Sequence, residues 1–260
     1  MNVRLVDHMG DDNSIVQAAR VSYGDGTKSV SEDRQLIRYL MRHWHTTPFE
    51  MVEFKFHVKV PIFVARQWLR HRTASVNELS ARYSVVKDEC WFPDEYRTQS
   101  ATNKQCSSDE SFVDKDALTS QRYSSEIAFS VYDGLLSRGV SRELARTHLP
   151  QSTFTEFYWK INLHNLFHFL RLRMDDHAQK EIQDCAVQIF RLIKPIVPVA
   201  CQAFVDYRMN SVTLTGPEAQ ALRTGLTDHL SKGEKREFEQ KCQLLGLKEC
   251  TTSTEESTSK

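Results

Sequence analysis

Polar and apolar residues alternate strictly over Glu53–Val60, so that every second side chain is apolar. This period of two is typical of a β-strand with one buried and one exposed face. Pro61 follows at once, and proline suits the first turn of a helix because its missing N–H would be unpaired there. We therefore predict a strand over 53–60 and a helix over Ile62–Leu69.

Apolar residues spaced by three and four positions predict helices elsewhere in the chain. The first helix follows a candidate capping box at Ser29 and Glu32. Its apolar stripe consists of Leu36, Ile37, Leu40, Met41 and Trp44. A longer helix is predicted from about Asp116 to a stop at Gly139. Apolar or aromatic residues at helical spacing along it are Tyr123, Ile127, Val131 and Leu135.

The second half of the chain continues this mixture of helices and strands. Ser141 is a candidate cap for a short helix that carries Arg142 and Arg146. The alternation of Thr153–Ile161 predicts another strand, followed by helices over residues 162–174 and 178–194. Residues 97–111 are rich in Ser, Thr, Asn and Gln, so we predict an exposed loop there.

The last forty or so residues differ in composition from the rest. The chain becomes charged after Pro217, with one candidate amphipathic helix over Glu234–Leu245. Residues 251–260 are almost entirely hydroxyl-bearing or charged, and they lack the apolar content that ordering requires. We expect a solvated, partly disordered extension.

Charge and length place few restrictions on function. The chain has 260 residues, with 34 Lys plus Arg against 34 Asp plus Glu. A balanced total gives no overall field that attracts nucleic acid or an anionic membrane, so any anion site must be local. The longest mostly apolar stretch, Val58–Leu69, is too short to span a bilayer. The first seven residues already include Asp7, so we expect no secretory leader and a soluble, cytoplasmic protein with no nucleic-acid or membrane partner.

Cysteine and glycine patterns argue against several kinds of site. The six cysteines include no Cys-x-x-Cys pair and no histidine at zinc spacing, so we expect reduced thiols and no metal site. The nine glycines form neither the Gly-x-Gly-x-x-Gly turn of dinucleotide-binding folds nor a P-loop. A phosphate ligand would therefore be held by side chains and helix ends.

The run Arg70–Tyr83 is polar almost throughout, with Arg70, His71 and Arg72 adjacent. Arginine presents a rigid fork of donors that pairs with phosphate or carboxylate at any working pH. Three consecutive residues do not share one face of a helix, so these side chains suit a helix end or loop that fans toward a ligand. A solvated basic patch is the plain alternative for the triplet taken alone.

The longer pattern is more specific. Arg-His-Arg, seven residues and then Ser80 resembles the signature of the flavin-dependent thymidylate synthases. His45-Thr46-Thr47-Pro48-Phe49-Glu50 and Val64-Ala65-Arg66-Gln67-Trp68 resemble two further family segments. A third block runs from Asn162 through Arg173 to Glu181-Ile182, and residues 1–210 match the family in order and spacing. A chance match of this length is improbable.

The resemblance implies a fold, an assembly and a reaction. The fold is α+β, a mostly antiparallel sheet packed with long helices, in a homotetramer with active sites at subunit interfaces. Residues 1–214 would be the catalytic domain and 215–260 an extension. The reaction is the reductive methylation of dUMP to dTMP, with 5,10-methylenetetrahydrofolate as carbon donor and NADPH-reduced FAD as hydride source.

The resemblance also assigns residues to sites. The catalytic positions are Arg173, which would lie against the uracil, and His45. The FAD positions are Ser22, Thr47, Arg70, His71, Arg72, Asn77, Glu78, Asn162, His164 and His168. The dUMP positions are Gln67, Arg70, Glu78, Leu79, Ser80, Ala81, Arg82, Arg146 and Arg173. Arg82 and Arg146 would hold the 5′-phosphate. Ala81 is glycine in some relatives, and a backbone contact there survives a methyl group if φ is negative.

Two alternatives from other functional classes stay open. One is an FAD-dependent oxidoreductase that does not methylate nucleotides and would not need Arg146 or Arg173. The other is a non-catalytic nucleotide- or RNA-binding protein that grips phosphates through Arg70–Arg82. The second lacks the basic excess that such proteins usually carry.

Overall fold

The computed structural model describes residues 1–21, 30–101 and 107–247. They form two compact units, which are divided between Val205 and Asp206. The strands are β1 (Asn2–Met9), β2 (Glu53–Pro61), β3 (Ser75–Glu78), β4 (Tyr96–Gln99), β5 (Ser107–Phe112) and β6 (Phe154–Asn162). The helices of the first unit are α1 (Asp12–Arg20), α2 (Val30–Arg42), α3 (Ile62–Trp68), α4 (Lys115–Ser137), α5 (Arg142–Ala145), α6 (Leu163–Arg173), α7 (Lys180–Ile193) and α8 (Pro198–Phe204). Short helical turns cover Thr47–Met51 and Arg146–His148, and a π-helical turn covers Val205–Met209.

A four-stranded sheet in the order β1-β2-β6-β3 forms the centre of the first unit. Each neighbouring pair is antiparallel, with Phe56 and Val76 both opposite Trp159 of β6. The predicted strands over 53–60 and 153–161 are therefore confirmed, and so is the mixed helix and antiparallel sheet fold.

The inward faces of β2 and β6 supply most of the aromatic core. The fully or almost fully buried side chains of these strands are Phe54, Phe56, Val58, Val60, Phe157, Trp159 and Ile161. Trp68 at the end of α3 packs edge-on against Trp159, with ring centroids 5.2 Å apart, and Phe169 of α6 lies 4.9 Å from both tryptophan rings. Because each such side chain contributes about 2 kcal/mol when buried, this cluster fixes α3 and α6 against the sheet.

The helix predictions for the first unit hold, with shifts of a residue or two at their ends. At the start of α6, for example, the Asn162 side chain accepts a hydrogen bond from the Asn165 N–H at 2.9 Å. Asn162 is therefore a regular N-cap. Ser141 precedes α5, but its side chain makes no capping hydrogen bond. Ser29 of the predicted capping box lies outside the described residues.

Several parts of the first unit differ from the sequence prediction. The predicted loop over 97–111 is wrong at both of its ends, because β4 and β5 pair there as an antiparallel hairpin, and residues 102–106 lie outside the described residues. Arg97 holds this hairpin through a 2.7 Å ion pair to the buried carboxylate of Glu181, and the hydroxyls of Thr98 and Ser108 are hydrogen-bonded. Strands β1 and β3 and helices α1 and α8 have no counterpart among the predicted elements.

The sequence places Trp44 in the apolar stripe of α2, and this prediction is wrong. Helix α2 ends at Arg42, and Trp44 adopts φ +60° with its side chain 62% exposed. Its stripe partners Ile37, Leu40 and Met41 are buried as predicted. A left-handed conformation costs a residue with a Cβ atom roughly 1–2 kcal/mol, so Trp44 stores strain.

Trp44→Gly is expected to be more stable than Trp44→Ala, although both remove the indole. Alanine keeps the Cβ atom that makes φ +60° unfavourable, whereas glycine removes it at a smaller entropic cost. The difference in the free energy of unfolding should be about 1 kcal/mol in favour of glycine, measured by urea denaturation. An alanine variant as stable as the glycine variant would contradict the strain.

The apolar side chains whose spacing predicted helix α4 lie mostly on its exposed face. Tyr123, Ile127 and Val131 are 63%, 46% and 43% exposed, while Phe129 and Tyr132 of the same helix are buried. A continuous exposed apolar stripe on a long helix is typical of an interface. No helix within the described residues is long and apolar enough to cross a membrane.

The second unit has its own small core. Its helices are α9 (Gly216–Thr224) and α10 (Lys232–Leu244), and each begins with a capping box, Thr215–Glu218 and Ser231–Glu234. The buried core residues are Ala221, Leu230, Phe238 and Cys242, with Leu214 packed against them. Lys241 pairs with the buried Glu218 carboxylate at 2.7 Å. The predicted helix over 234–245 is confirmed as α10, and α9 was not predicted.

Candidate active site

The Arg-His-Arg triplet begins where α3 ends. The His71 N–H donates to the Trp68 carbonyl at 3.0 Å, which closes the last turn of the helix. Arg70 and Arg72 are exposed on either side, whereas the half-buried His71 ring packs edge-on to Phe169 with centroids 4.9 Å apart. The triplet therefore presents two guanidinium groups to solvent and turns its imidazole toward α6.

His71 and Gln67 hold the side chain of Arg173, the last residue of α6. The Arg173 Nε–H donates to His71 Nε2 at 3.0 Å, and its Nη2 donates to the Gln67 carbonyl at 3.3 Å. The Gln67 side chain is in turn hydrogen-bonded to Gln179. His168 lies beside them, with its ring centroid 5.8 Å from that of His71.

The charges of this cluster are set mainly by burial. Desolvation, followed by the nearby Arg173 and His168, lowers the pKa of His71 from 6.5 to about 4. His71 is therefore neutral at pH 7. Burial also lowers the pKa of Arg173, but a guanidinium still stays charged in this range. The cluster holds one fixed cation against a neutral imidazole.

A second group of predicted residues lies on β3 at the sheet edge. Asn77, Glu78 and Leu79 line a cavity of about 350 Å³ together with His57, Glu156, Phe157 and Tyr158. Glu78 accepts a 2.7 Å hydrogen bond from the Thr155 hydroxyl, which orients one of its carboxylate oxygens. The three predicted residues are exposed, so this edge is accessible to a ligand.

A third group contains the predicted phosphate-binding residues. Ser80 Oγ accepts from the backbone N–H and from Nε of Arg82, both at 3.4 Å. Arg142 Nη1 donates to the Tyr83 carbonyl at 3.3 Å and so ties this segment to α5. Arg146 follows one turn after Arg142 and is exposed. Ala81 is half-buried between Ser80 and Arg82.

His45 and Thr47 line a larger cavity of about 740 Å³ between α1, α2 and the turn over Thr47–Met51. The residues around it are Ala18, Ala19, Val21, Leu40, His43, Trp44, His45, Thr46, Thr47, Pro48 and Met51. The His45 ring lies 5.9 Å from that of Tyr39. The mostly apolar wall of this cavity and its two imidazole groups, from His43 and His45, suit a flat heterocyclic ligand.

The remaining predicted residues are placed less informatively. Asn162 caps α6, so its Oδ1 is engaged by Asn165 and its amide nitrogen is left as a donor. His164 is half-buried in the first turn of α6. Ser22 lies outside the described residues.

The structure thus joins Gln67, His71, His168 and Arg173 directly and leaves the others in separate groups. Sequence reasoning missed Gln179, Arg142 and Trp44 as parts of these groups. Gln179 stands in the third family-like block and Arg142 one turn before Arg146, so both had a weak signal. Nothing in the sequence marks the backbone conformation of Trp44.

The exposed arginines offer a donor set for anions. In the part of the chain that the structure describes, no carboxylate pairs with any of Arg70, Arg72, Arg82 and Arg146. Such guanidinium groups fit phosphate or pyrophosphate oxygens bidentately. The same described ranges contain no cluster of three or more His, Cys, Asp or Glu side chains that could hold a metal ion.

Known proteins are similar in amino-acid sequence to most of this chain. The family described as "Thymidylate synthase complementing protein" matches residues 4–199. A flavin-dependent thymidylate synthase of Dictyostelium discoideum is 57% identical over 239 residues, covering 90% of this chain and 78% of the relative. The chain belongs to the flavin-dependent thymidylate synthase family.

Another curated relative and a solved structure agree with this chain in sequence and fold. A relative from Thermus thermophilus is 53% identical over 245 residues, covering 94% of this chain and 88% of the relative. A UMP/dUMP methylase, PolB from Streptomyces cacaoi, bound with 5-Br dUMP, has a TM-score of 0.72 at 35% identity. That comparison covers 80% of this chain and 95% of the methylase chain.

Proposed function

We propose that this protein converts dUMP to dTMP with a reduced flavin. 5,10-Methylenetetrahydrofolate donates the carbon, and NADPH reduces FAD. The observation that carries the proposal is the charged Arg173 guanidinium, held by His71 of the family signature and by the Gln67 carbonyl. Membership of the family supplies the reaction, and this cluster supplies a group suited to it.

The donor set fits FAD. Arg70 and Arg72 would bind its pyrophosphate, since both guanidinium groups are exposed and neither has a carboxylate partner within the described ranges. The other residues proposed to contact FAD are Ser22, Thr47, His71, Asn77, Glu78, Asn162, His164 and His168. When bound, the flavin supplies the hydride that reduces the transferred carbon to a methyl group.

The dUMP site would use the signature segment, Arg146 and, from the third block, Arg173. Arg82 and Arg146 hold the 5′-phosphate, and the Ser80 hydroxyl donates to it because its oxygen already accepts from Arg82. The remaining residues proposed to contact dUMP are Gln67, Arg70, Glu78, Leu79, Ala81 and Arg173.

Arg173 and His45 would act on the reacting groups. A fixed cation against the uracil would stabilise the negative charge that develops on the ring as it is activated for reaction. His45 would position the folate or flavin from the larger cavity, where it lies among Thr47, Pro48 and Met51. Both residues bind and orient, so the protein aligns the partners while the cofactor carries the redox chemistry.

A homotetramer would bring these groups together. Within one chain the predicted residues form separate groups, and the exposed stripe of Tyr123, Ile127 and Val131 is suited to burial against another subunit. We therefore propose that each active site draws on more than one chain. Residues 1–214 would supply the catalytic residues, and residues 215–260 would extend beyond them.

Purified protein incubated without oxygen with FAD, NADPH, methylenetetrahydrofolate and dUMP should form dTMP, detected by chromatography. Omitting NADPH, methylenetetrahydrofolate or dUMP should abolish the product, and so should omitting FAD when the protein carries no bound flavin. Flavin reduction without dTMP would favour the FAD-dependent oxidoreductase. Failure to bind flavin at all would favour the non-catalytic nucleotide-binding protein.

Single cysteine replacements are expected to leave dTMP formation within about threefold of the unmodified protein, because no thiolate attack is needed. Burial raises the pKa of Cys185 and of Cys201 to about 12, so both stay protonated and poorly nucleophilic at pH 7. Cys90→Ala, Cys185→Ala, Cys201→Ala and Cys242→Ala should each be assayed at saturating dUMP. Loss of product in a variant with normal flavin content and fold would indicate a thiol mechanism.

A further inference from the structure

His71 connects the signature triplet to Arg173 by a hydrogen bond whose direction fixes the state of the imidazole. Arginine has only donors, so His71 Nε2 must be the unprotonated nitrogen that accepts from the Arg173 Nε–H at 3.0 Å. A neutral imidazole then carries its proton on Nδ1. His71 therefore accepts on one side and offers a donor on the other.

The surroundings of His71 keep it neutral. The charged or titratable groups that face it are Arg173 and His168, both on α6, and the Phe169 ring covers it edge-on at 4.9 Å. Desolvation and these two cations or potential cations lower the pKa of His71 to about 4. Above about pH 5 the acceptor at Nε2 is therefore maintained.

We infer that His71 is a positioning residue: its neutral ring holds the Arg173 guanidinium in place for the nucleotide, while its Nδ1–H remains as a donor toward the flavin. The inference rests on the proposed function for the identity of these two ligands. Besides contacting the flavin, His71 would thus connect the flavin-binding triplet, through one hydrogen bond, to the arginine that stabilises the uracil.

A neutral acceptor is suited to this task because it orients a cation without cancelling its charge. A carboxylate at position 71 would also hold Arg173, but it would form an ion pair and reduce the positive potential at the uracil. A cation at the same position would repel the guanidinium. The Gln67 carbonyl, at 3.3 Å from Nη2, is likewise neutral, so both partners of Arg173 orient it and leave its charge available.

The kinetic test compares three replacements of His71 with a matched histidine control. His71→Gln keeps a neutral acceptor at about the position of Nε2 and should keep kcat within about fivefold. His71→Leu removes the acceptor and His71→Glu cancels the charge, and each should lower kcat roughly tenfold to a hundredfold. His8→Gln, on exposed strand β1, should match the unmodified protein. Equal kcat in the Gln, Leu and Glu variants would overturn the inference.

A double-mutant cycle separates positioning from a general structural role. The dissociation constant of dUMP is measured for His71→Leu, Arg173→Gln and the double variant, each with its flavin content recorded. If His71 acts through Arg173, the His71→Leu change should weaken dUMP binding about tenfold alone and have almost no effect in the Arg173→Gln background. The same loss in both backgrounds would overturn the inference.

NMR of protein labelled with ¹⁵N-histidine tests the inference without any turnover. The His71 ring, assigned by its absence in His71→Gln, should be neutral with its proton on Nδ1 from pH 8 to pH 6. In Arg173→Met the preference of His71 for that tautomer should disappear. The pKa of His71 should also rise, since a nearby cation has been removed. A charged ring at pH 6, or a proton on Nε2 in the unmodified protein, would overturn the inference.

These outcomes are distinct from failure of the proposed function. If the unmodified protein makes no dTMP, the function falls, while the NMR spectrum still decides whether Arg173 and His71 are coupled. If the unmodified protein makes dTMP and the His71 variants behave alike, the inference falls and the function stands.

Discussion

Arg173→Gln is expected to lower the rate of dTMP formation by about a hundredfold to a thousandfold, the usual loss when one fixed group that stabilises developing charge is removed. Glutamine retains hydrogen-bonding capacity near His71 and Gln67 but has no positive charge. The fold should persist, because Arg173 lies at the end of α6 and its neighbours in the core, Phe169 and Leu170, are unchanged.

Arg171→Gln is the matched control. Arg171 lies on the same helix, two residues earlier, and is exposed, so its loss should change the rate by less than about twofold. Both variants should be measured in a single turnover with pre-reduced flavin, which separates chemistry from flavin reduction and product release. If Arg173→Gln and Arg171→Gln had similar rates at equal flavin content, Arg173 would not act on the uracil.

Trp68→Ala is expected to lower the free energy of unfolding by about 3–5 kcal/mol. The Trp68 ring is fully buried, with ring centroids 5.6 Å from Phe157, 5.2 Å from Trp159 and 4.9 Å from Phe169. Alanine would leave a large cavity between α3, α6 and the sheet. Because Trp68 is the last residue of α3, the segment that carries Arg70 and His71 would lose its anchor, and flavin affinity should fall as well.

Trp68→Phe should cost much less than Trp68→Ala. Phenylalanine keeps an aromatic ring in the cluster, and it removes a buried indole N–H that has no hydrogen-bond partner among the described residues. Trp44→Ala is the matched surface control, since its indole is 62% exposed and should change stability by about 1 kcal/mol or less. Urea denaturation of the three variants measures these differences. A Trp68→Ala variant as stable as Trp44→Ala would contradict the proposed packing of α3.

The parts of the fold that the sequence predicts are those with a clear apolar period. β2 and β6 alternate because one face packs on the helices and the other meets solvent, and α2, α6 and α7 follow the helical period for the same reason. The apolar spacing that predicted α4 lies instead mostly on its exposed face. β1 was missed because Val3 is its one buried apolar residue. This edge strand therefore shows little alternation of polar and apolar side chains. The β4–β5 hairpin was missed because hydroxyl pairs and the Arg97–Glu181 ion pair hold it.

The site was predicted in its residue types but not in its internal contacts. The motif identified Arg70–Arg82 and Arg173 because arginine and small polar residues in that order have few structural explanations. The bonds from Arg173 to His71 and from Gln67 to Gln179 join residues 102 and 112 positions apart, a separation at which local spacing carries no information. They depend on the packing of α3 against α6 and α7, which only the fold determines. The roles of the individual residues stay predictions.

Reduced flavin, in the proposed function, supplies the electrons for methylation. The sharpest test is a single turnover without oxygen, in which protein carrying pre-reduced FAD is mixed with dUMP and methylenetetrahydrofolate in the absence of NADPH. Flavin oxidation is followed by absorbance, and dTMP is quantified in samples quenched at the same times. We expect one dTMP for each flavin oxidised, with the same time course. Flavin oxidation without dTMP, or dTMP formed while the flavin stays reduced, would contradict the proposed function.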